Sequence, residues 1–237
     1  WVRWGHSGQY GTDFLVPGMA VEIVDNHTLE AYARRIVAKV ERFNKEYSAV
    51  TFTEPLPENI RPGHLIAADE PGPDVHISGC RMSGNRARGL LIGSRGRVII
   101  ENNYFHIAGA SILFEGDGNF WFEQSGVRDV TIRNNIFANG NYGSRGWGSA
   151  CIAVGSGISQ RQTSRYHRNI QVDGNLFRVF DPRIVNLYCV DGFQFSASNR
   201  IVRTSDYPAT FDPKLHFVFD QCDHIEIPRQ IEMAEQR

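Results

Sequence analysis

Val75-His-Ile77-Ser-Gly-Cys80-Arg-Met82 is a phrase the chain repeats, as Val98-Ile-Ile100-Glu-Asn-Asn103-Tyr-Phe105 and as Val130-Thr-Ile132-Arg-Asn-Asn135-Ile-Phe137. Each copy places two β-branched residues two apart, an Asn or Cys three residues later, and a large apolar residue two beyond that. Alternation at period two makes a short strand with one buried face, and Asn supports the bend that follows. Further copies stand at Ile170-Gln-Val172-Asp-Gly-Asn175-Leu-Phe177, weakly at Phe193-Gln-Phe195, and at Phe217-Val-Phe219-Asp-Gln-Cys222, giving intervals of 23, 32, 40, 23 and 24 residues. A coil of constant rung length with loops added to some turns produces such intervals. The expected fold is all-β: a right-handed parallel β-helix in which each rung buries its neighbour. A β-sandwich would supply the alternation but not the recurring Asn.

The composition bounds the rest. A chain of 237 residues can bury one sizeable core plus a small appendage. With 25 basic and 26 acidic residues the net charge is −1, which implies no general affinity for nucleic acid or acidic membranes. No apolar run reaches membrane-spanning length. The four cysteines, Cys80, Cys151, Cys189 and Cys222, have no CxxC spacing. Cys80 and Cys222 fall at the Asn position of the repeat, which favours buried, stacked free thiols over metal ligands. His216, Asp223 and His224 form no cluster at ligand spacing, so no metal site is expected. The chain starts at Trp1 in a polar, aromatic stretch, which suggests a piece of a longer protein.

Residues 1–13 read as loop, punctuated by Gly5, Gly8 and Gly11; Trp1, Trp4 and His6 there belong either to a surface loop or to the edge of a substrate pocket. Residues 14–70 depart from the repeat. Ala20–Val24 and Ala49–Phe52 read as strands, Thr28–Val40 fits helix or strand equally, and Gly/Pro turns separate the pieces. Several short strands of this kind suggest a small antiparallel barrel or clamp inserted between rungs, after which residues 71–237 resume the coil.

Between the repeats lie the polar candidates. Arg86 and Arg88, flanked by Asn85 and Gly89, are read either as structural ion-pair partners of Glu101 or Glu115, or as donors to sugar hydroxyls or controllers of a catalytic carboxylate. The run from Ala110 to Gln124 contains Glu115, Asp117, Trp121 and Glu123. Paired carboxylates beside an aromatic face suit glycoside chemistry, in which one acid protonates the leaving oxygen and another activates water or attacks the anomeric carbon; a solvent-facing polar loop has the same composition. Glu115 and Asp117 are therefore the catalytic candidates, and Asn85, Arg86, Arg88, Trp121, Glu123, His6 and Trp147, the last in a Gly-rich loop after Phe137, the substrate-binding ones. Asn85–Gly89 and Glu115–Glu123 are expected at matching places on successive rungs, forming one wall.

Asn85-Arg86-Ala87-Arg88-Gly89, Val98 to Phe105, Leu113-Phe114-Glu115-Gly116-Asp117, Trp121-Phe122-Glu123 and Val127 to Asn135, in that order, resemble the family of exo-acting α-1,3-galactosidases built on a parallel β-helix. These bacterial glycoside hydrolases remove the terminal galactose of blood-group B and linear gal-α-1,3-gal epitopes. The stretch Phe52-Thr-Glu-Pro-Leu-Pro57 with Pro62-Gly63 is similar to that family's β-barrel insertion. The resemblance implies hydrolysis with inversion, no metal or cofactor, a glycan substrate, and a secreted or periplasmic location. It also implies that this chain is the C-terminal portion and that a catalytic aspartate pair lies upstream of Trp1. A polysaccharide lyase or a noncatalytic carbohydrate-binding β-helix is the alternative.

Overall fold

The computed structural model describes residues 2–3, 14–44, 46–70, 72–118, 122, 126–143, 146, 148–155, 157–160, 164–208, 216–231 and 233–235. The chain divides into two compact units: Trp1–Pro71 with Gly116–Gln124 and Gly157–Ser164, and Gly72–Glu115 with Ser125–Ser156 and Arg165–Arg237.

The first unit is an antiparallel sheet built from β1 (Val2–Arg3), β2 (Ala20–Val24), β3 (Ala31–Arg42), β4 (Tyr47–Phe52) and β5 (Leu65–Ala68), in the order β1-β4-β3-β2-β5. Val2 and Arg3 are thus an edge strand paired with Ser48 and Tyr47, where the sequence suggested loop. The ambiguous stretch resolves as strand: β3 pairs with β2 on one side and β4 on the other, so both neighbours recruit it to a ladder. Leu15, Val21 and Val37 form the buried centre of the unit. The β2–β3 turn is held by Asp25 Oδ1, which accepts the backbone N–H of His27 (2.7 Å) and Thr28 (3.2 Å). Residues of the later segments join this unit. Ser164 Oγ donates to the Thr28 carbonyl (2.8 Å), His27 Nδ1 and Ser159 Oγ share a hydrogen bond (2.9 Å), and a side chain on Gly118 would collide with Leu29 and Leu65.

The second unit is a parallel β-helix. Its successive rungs are β6 (Val75–Ser78), β7 (Arg81–Ser83), β8 (Leu90–Ile92); β9 (Arg97–Glu101), β10 (Tyr104–His106), β11 (Ile112–Phe114); β12 (Asp129–Arg133), β13 (Ile136–Ala138), β14 (Ile152–Val154); β15 (His167–Asp173), β16 (Leu176–Val179), β17 (Arg183–Tyr188); β18 (Val190–Phe195), β19 (Arg200–Arg203), β20 (His216–Asp220); and then β21 (Asp223–Glu226) and β22 (Met233–Glu235). Stacking gives three parallel sheets: a first sheet β21-β18-β15-β12-β9-β6, a second β22-β19-β16-β13-β10-β7 and a third β20-β17-β14-β11-β8. Inside, like sits on like. Val98, Val130 and Ile170 are aligned by register, and the Phe105, Phe137 and Phe177 rings stack at centroid spacings of 5.2 and 4.7 Å. Full burial of each such ring is worth roughly 2–3 kcal/mol.

The repeated Asn explains the first corner. Gly79, Asn102, Asn134 and Gly174 take left-handed φ of 68°, 57°, 56° and 63°, reversing the chain just before the ladder residue. Behind them Asn103, Asn135, Asn175 and Asn199 form an axial amide ladder, each Nδ2 donating to the next Oδ1 at 3.0 Å. Each Nδ2 also donates to a carbonyl one rung back: Ile77, Ile100, Ile132 and Val172, at 2.8–2.9 Å. Asn199 escapes the sequence phrase because its turn carries one extra residue. The Phe217–Cys222 copy is displaced: Phe217 and Phe219 lie opposite Val185 and Leu187 in the third sheet, and the sixth first-sheet strand is β21, with Ile225 opposite Phe193. The last interval is therefore 225 − 193 = 32 residues, because period-two alternation looks the same in any of the three sheets. Cys80 ends the ladder, its N–H donating to Asn103 Oδ1 (2.9 Å), but its side chain is exposed, and Cys222 is half-buried outside the ladder.

Candidate active site on the third sheet

In the third sheet Ile112 and Phe114 point inward, so Leu113 and Glu115 point outward. Register places Leu113 in an outward row with Leu91, Ala153, Asn186 and Val218. Two residues further along each strand lies a second row: Gly93, Glu115, Gly155, Tyr188 and Asp220. The ladder reaches this far, since the Gly155 N–H donates to the Phe114 carbonyl (2.8 Å) and Tyr188 pairs with Asp220. At about 4.8 Å per strand, the Glu115 and Tyr188 backbones stand roughly 10 Å apart and Glu115 and Asp220 roughly 14 Å.

Between Glu115 and Tyr188 the row holds only a glycine. Beyond its chain neighbours, a Cβ on Gly155 would meet only Glu115 Oε1 among the described residues, at 3.8 Å, an ordinary contact. In the row, Gly155 is thus a glycine-wide slot between the positions of the exposed Glu115 and of Tyr188. Its floor is fixed from behind, where His167 Nε2 bonds the Gly155 carbonyl at 2.7 Å. His167 is fully buried, with Tyr166 edge-on at 4.9 Å. Burial lowers its pKa from 6.5 to about 4, so at neutral pH the ring is uncharged with its proton on Nε2. Nδ1 has no partner among the described residues. The sequence reading passed over His167, Gly155 and Tyr188, and nothing local marks them; only register brings them to Glu115.

The other candidates distribute differently. Asn85–Gly89 is the turn before β8, and its equivalent one rung on is Ile107–Ser111: the Gly109 N–H donates to the Ala87 carbonyl (2.7 Å) and the Gly89 N–H to the Ala110 carbonyl (3.0 Å). Glu115 instead follows β11, and its equivalent one rung back is Gly93. The expected single wall is thus two separate edges, about five residues and 16 Å apart along the strand direction. Asn85 Nδ2 donates to the Arg88 carbonyl (3.1 Å), Arg88 is half-buried with its Nε unpaired among the described residues, and Arg86 is exposed. Glu101, offered above as an ion-pair partner for these arginines, is engaged by Arg133 Nε (2.6 Å) and His76 Nε2 (2.8 Å), which hold its carboxyl below the ordinary range. Asp117 belongs to the first unit, where its Oδ1 faces Gly157. His6, Trp121, Glu123 and Trp147 lie outside the described residues.

Among the described residues no three His, Cys, Asp or Glu side chains are grouped to hold a metal ion. Burial pushes the Cys151 thiol up to about 12, and all four cysteines are free. No helix among the described residues is long and apolar enough to cross a membrane.

A three-sheet parallel β-helix joined to an antiparallel β unit is the class these features define. Residues 1–66 match the family model described as GLAA-B beta-barrel domain II. Over 204 residues, 86% of this chain, the sequence is 38% identical to Alpha-1,3-galactosidase A of Shewanella woodyi, covering 33% of that protein. It is 33% identical over 219 residues, 92% of this chain and 35% of the relative, to Alpha-1,3-galactosidase B of Bacteroides thetaiotaomicron. It is 28% identical over 228 residues, 95% of this chain and 28% of the relative, to Alpha-1,3-galactosidase B of Akkermansia muciniphila. The chain is thus homologous to proteins named α-1,3-galactosidase along most of its own length, and it spans about a third of theirs.

Proposed function

We propose that this chain is part of a glycoside hydrolase that removes terminal α-1,3-linked galactose from glycans in an exo fashion with inversion. The names of relatives matching 86–95% of the chain carry the reading. Glu115 beside the glycine position of the row supports it, since an exposed carboxylate next to a residue without a side chain suits a sugar oxygen. Inversion requires two carboxyl groups roughly 6.5–9.5 Å apart with water between them. The Asp220 backbone stands some 14 Å along the row by strand spacing, beyond that range. The partner is expected from an acidic pair upstream of Trp1, with Glu115 in the reacting shell and Tyr188 hydrogen-bonding the sugar. A secreted or periplasmic location goes with this reading and is checked by cell fractionation.

The test is hydrolysis of α-1,3-digalactoside by the full-length protein, with the first-formed anomer read by NMR. Glu115→Gln should lower kcat/KM by about 10²–10⁴-fold, the ordinary range for an acid–base group. Unchanged turnover removes Glu115 from the shell, and Asp117→Asn tests that carboxyl separately. The second reading is a noncatalytic glycan-binding coil. Sugar binding without turnover in the full-length protein would select it.

A further inference from the structure

At the opposite edge of the third sheet, three rings from three rungs share one orientation. His106 ends β10, Tyr142 lies in the loop after β13, and Tyr207 lies in the loop after β19. Their centroids are 5.1 Å (His106–Tyr142), 6.4 Å (His106–Tyr207) and 6.3 Å (Tyr142–Tyr207) apart, with planes inclined by 29°, 18° and 22°. The tyrosines are 43% and 41% exposed. Exposed aromatics scattered singly are unremarkable; three near-parallel rings converging from positions 36 and 65 residues apart are not scattered.

The rings are held in place from below. Thr204 Oγ1 donates to Asn139 Oδ1, and Asn139 Nδ2 donates to Asp206 Oδ2, both at 2.6 Å, fastening the loop that carries Tyr207 to the loop that carries Tyr142. Asn139 and Thr204 are buried. Phe180 meets Tyr207 edge-on at 5.2 Å. The Gly143 N–H donates to the Ala108 carbonyl (2.7 Å), and His106 Nδ1 donates to the Ala138 carbonyl (2.8 Å). A surface whose aromatic side chains are already ordered loses little entropy when it binds. What suits such a surface is a rigid ligand with an apolar face and a polar rim, and a pyranose ring has that form: C–H bonds make an apolar patch on a face of the ring, and the equatorial hydroxyls lie at its edge.

We infer that His106, Tyr142 and Tyr207 form a stacking platform for a pyranose ring, a glycan-binding site separate from the Glu115 row. The platform rests on ring geometry; the choice of galactose as its sugar rests on the function proposed above. At this site the glycan chain is held by a part of the coil other than the Glu115 row.

The experiment is calorimetric titration of the protein with α-1,3-digalactoside, and with cellobiose as a pyranose of another class, for wild type, Tyr142→Ala, Tyr207→Ala, Tyr142→Phe and Cys80→Ala. Thermal melts confirm that each variant is folded. Either alanine variant at a tyrosine should weaken binding at least about tenfold, equivalent to 1.4 kcal/mol, while Tyr142→Phe and Cys80→Ala bind as wild type. Binding of cellobiose alone keeps the platform and removes galactose as its sugar, which also counts against the α-galactosidase reading. Absence of binding by both sugars, retention by both tyrosine-to-alanine variants, or loss in Cys80→Ala equal to that in those variants would each overturn the platform.

Discussion

Two corners of the coil follow opposite rules. At the corner between first and second sheets, Asn103, Asn135, Asn175 and Asn199 recur, and each side-chain amide is consumed by its neighbours along the axis. At the corner between second and third sheets no two rungs agree: Asn85–Gly89, Ile107–Ser111, a long turn running from Asn139 to Cys151, and the buried Asp181–Arg183 pair occupy successive positions. Repetition lets polar groups satisfy one another internally, which adds stability and leaves nothing for a ligand. Variation gives up the ladder and frees side chains such as Tyr142 and Tyr207 to project.

The variable corner has its own buried polar device, and breaking it should have the largest effect. Arg183 Nε donates to both Asp181 oxygens (3.0 and 2.9 Å), Nη2 reaches Oδ2 at 2.7 Å, and Asp181 is fully buried. Arg183→Met should cost about 4 kcal/mol by leaving that carboxylate with the backbone N–H of residue 183 but without its cation, and the double variant Arg183→Met/Asp181→Leu should recover most of it. A double variant as unstable as the single one would show that packing, not the stranded charge, sets the cost.

The repetitive corner follows. Asn135→Leu keeps the shape but removes the side-chain partners of the buried Asn103 N–H and the Ile100 carbonyl, at a cost of about 3 kcal/mol. Urea titration should show a lower midpoint at unchanged slope, whereas Cys80→Ala at the exposed end of the ladder should stay within about 0.5 kcal/mol. Equal midpoints for the two would refute the ladder as the stabilising device.

Next comes the support of the Gly155 slot. His167 has its pKa near 4 when folded against 6.5 ordinarily, so between those values the unfolded chain binds more protons. The stability associated with the neutral ring is fully present above about pH 6.5 and is lost as pH falls towards 4, by roughly 3 kcal/mol in all. Melting temperatures from pH 7 to 4 should fall more steeply for wild type than for His167→Gln; parallel curves would count against it. Smallest in stability is Gly155→Ala, with a melting temperature within about 2 °C of wild type, because the added Cβ meets only ordinary contacts. It nevertheless narrows the slot, and kcat/KM of the full-length protein should fall about tenfold if sugar enters there.

The repeat from Val75 to Phe137 made the parallel coil legible because inward side chains and the corner Asn must recur wherever rungs stack. It failed at Phe217–Cys222, where aromatic alternation identifies a strand but not its sheet, and at Asn199, where one extra turn residue hides the same role. Thr28–Val40 could not be resolved locally, since strand partners on both sides decide it.

By itself, then, the sequence determined the coil, the appended β unit, the lack of a large charge bias and the resemblance to α-1,3-galactosidases, all of which depend on local pattern or on ordered motifs. Only the tertiary structure decided which polar residues meet. Glu115, Gly155, Tyr188 and Asp220 are scattered over 106 positions of sequence, yet they occupy one row because parallel strands align residues by register. Arg88 and Glu115, 27 residues apart, fall on different edges for the same reason.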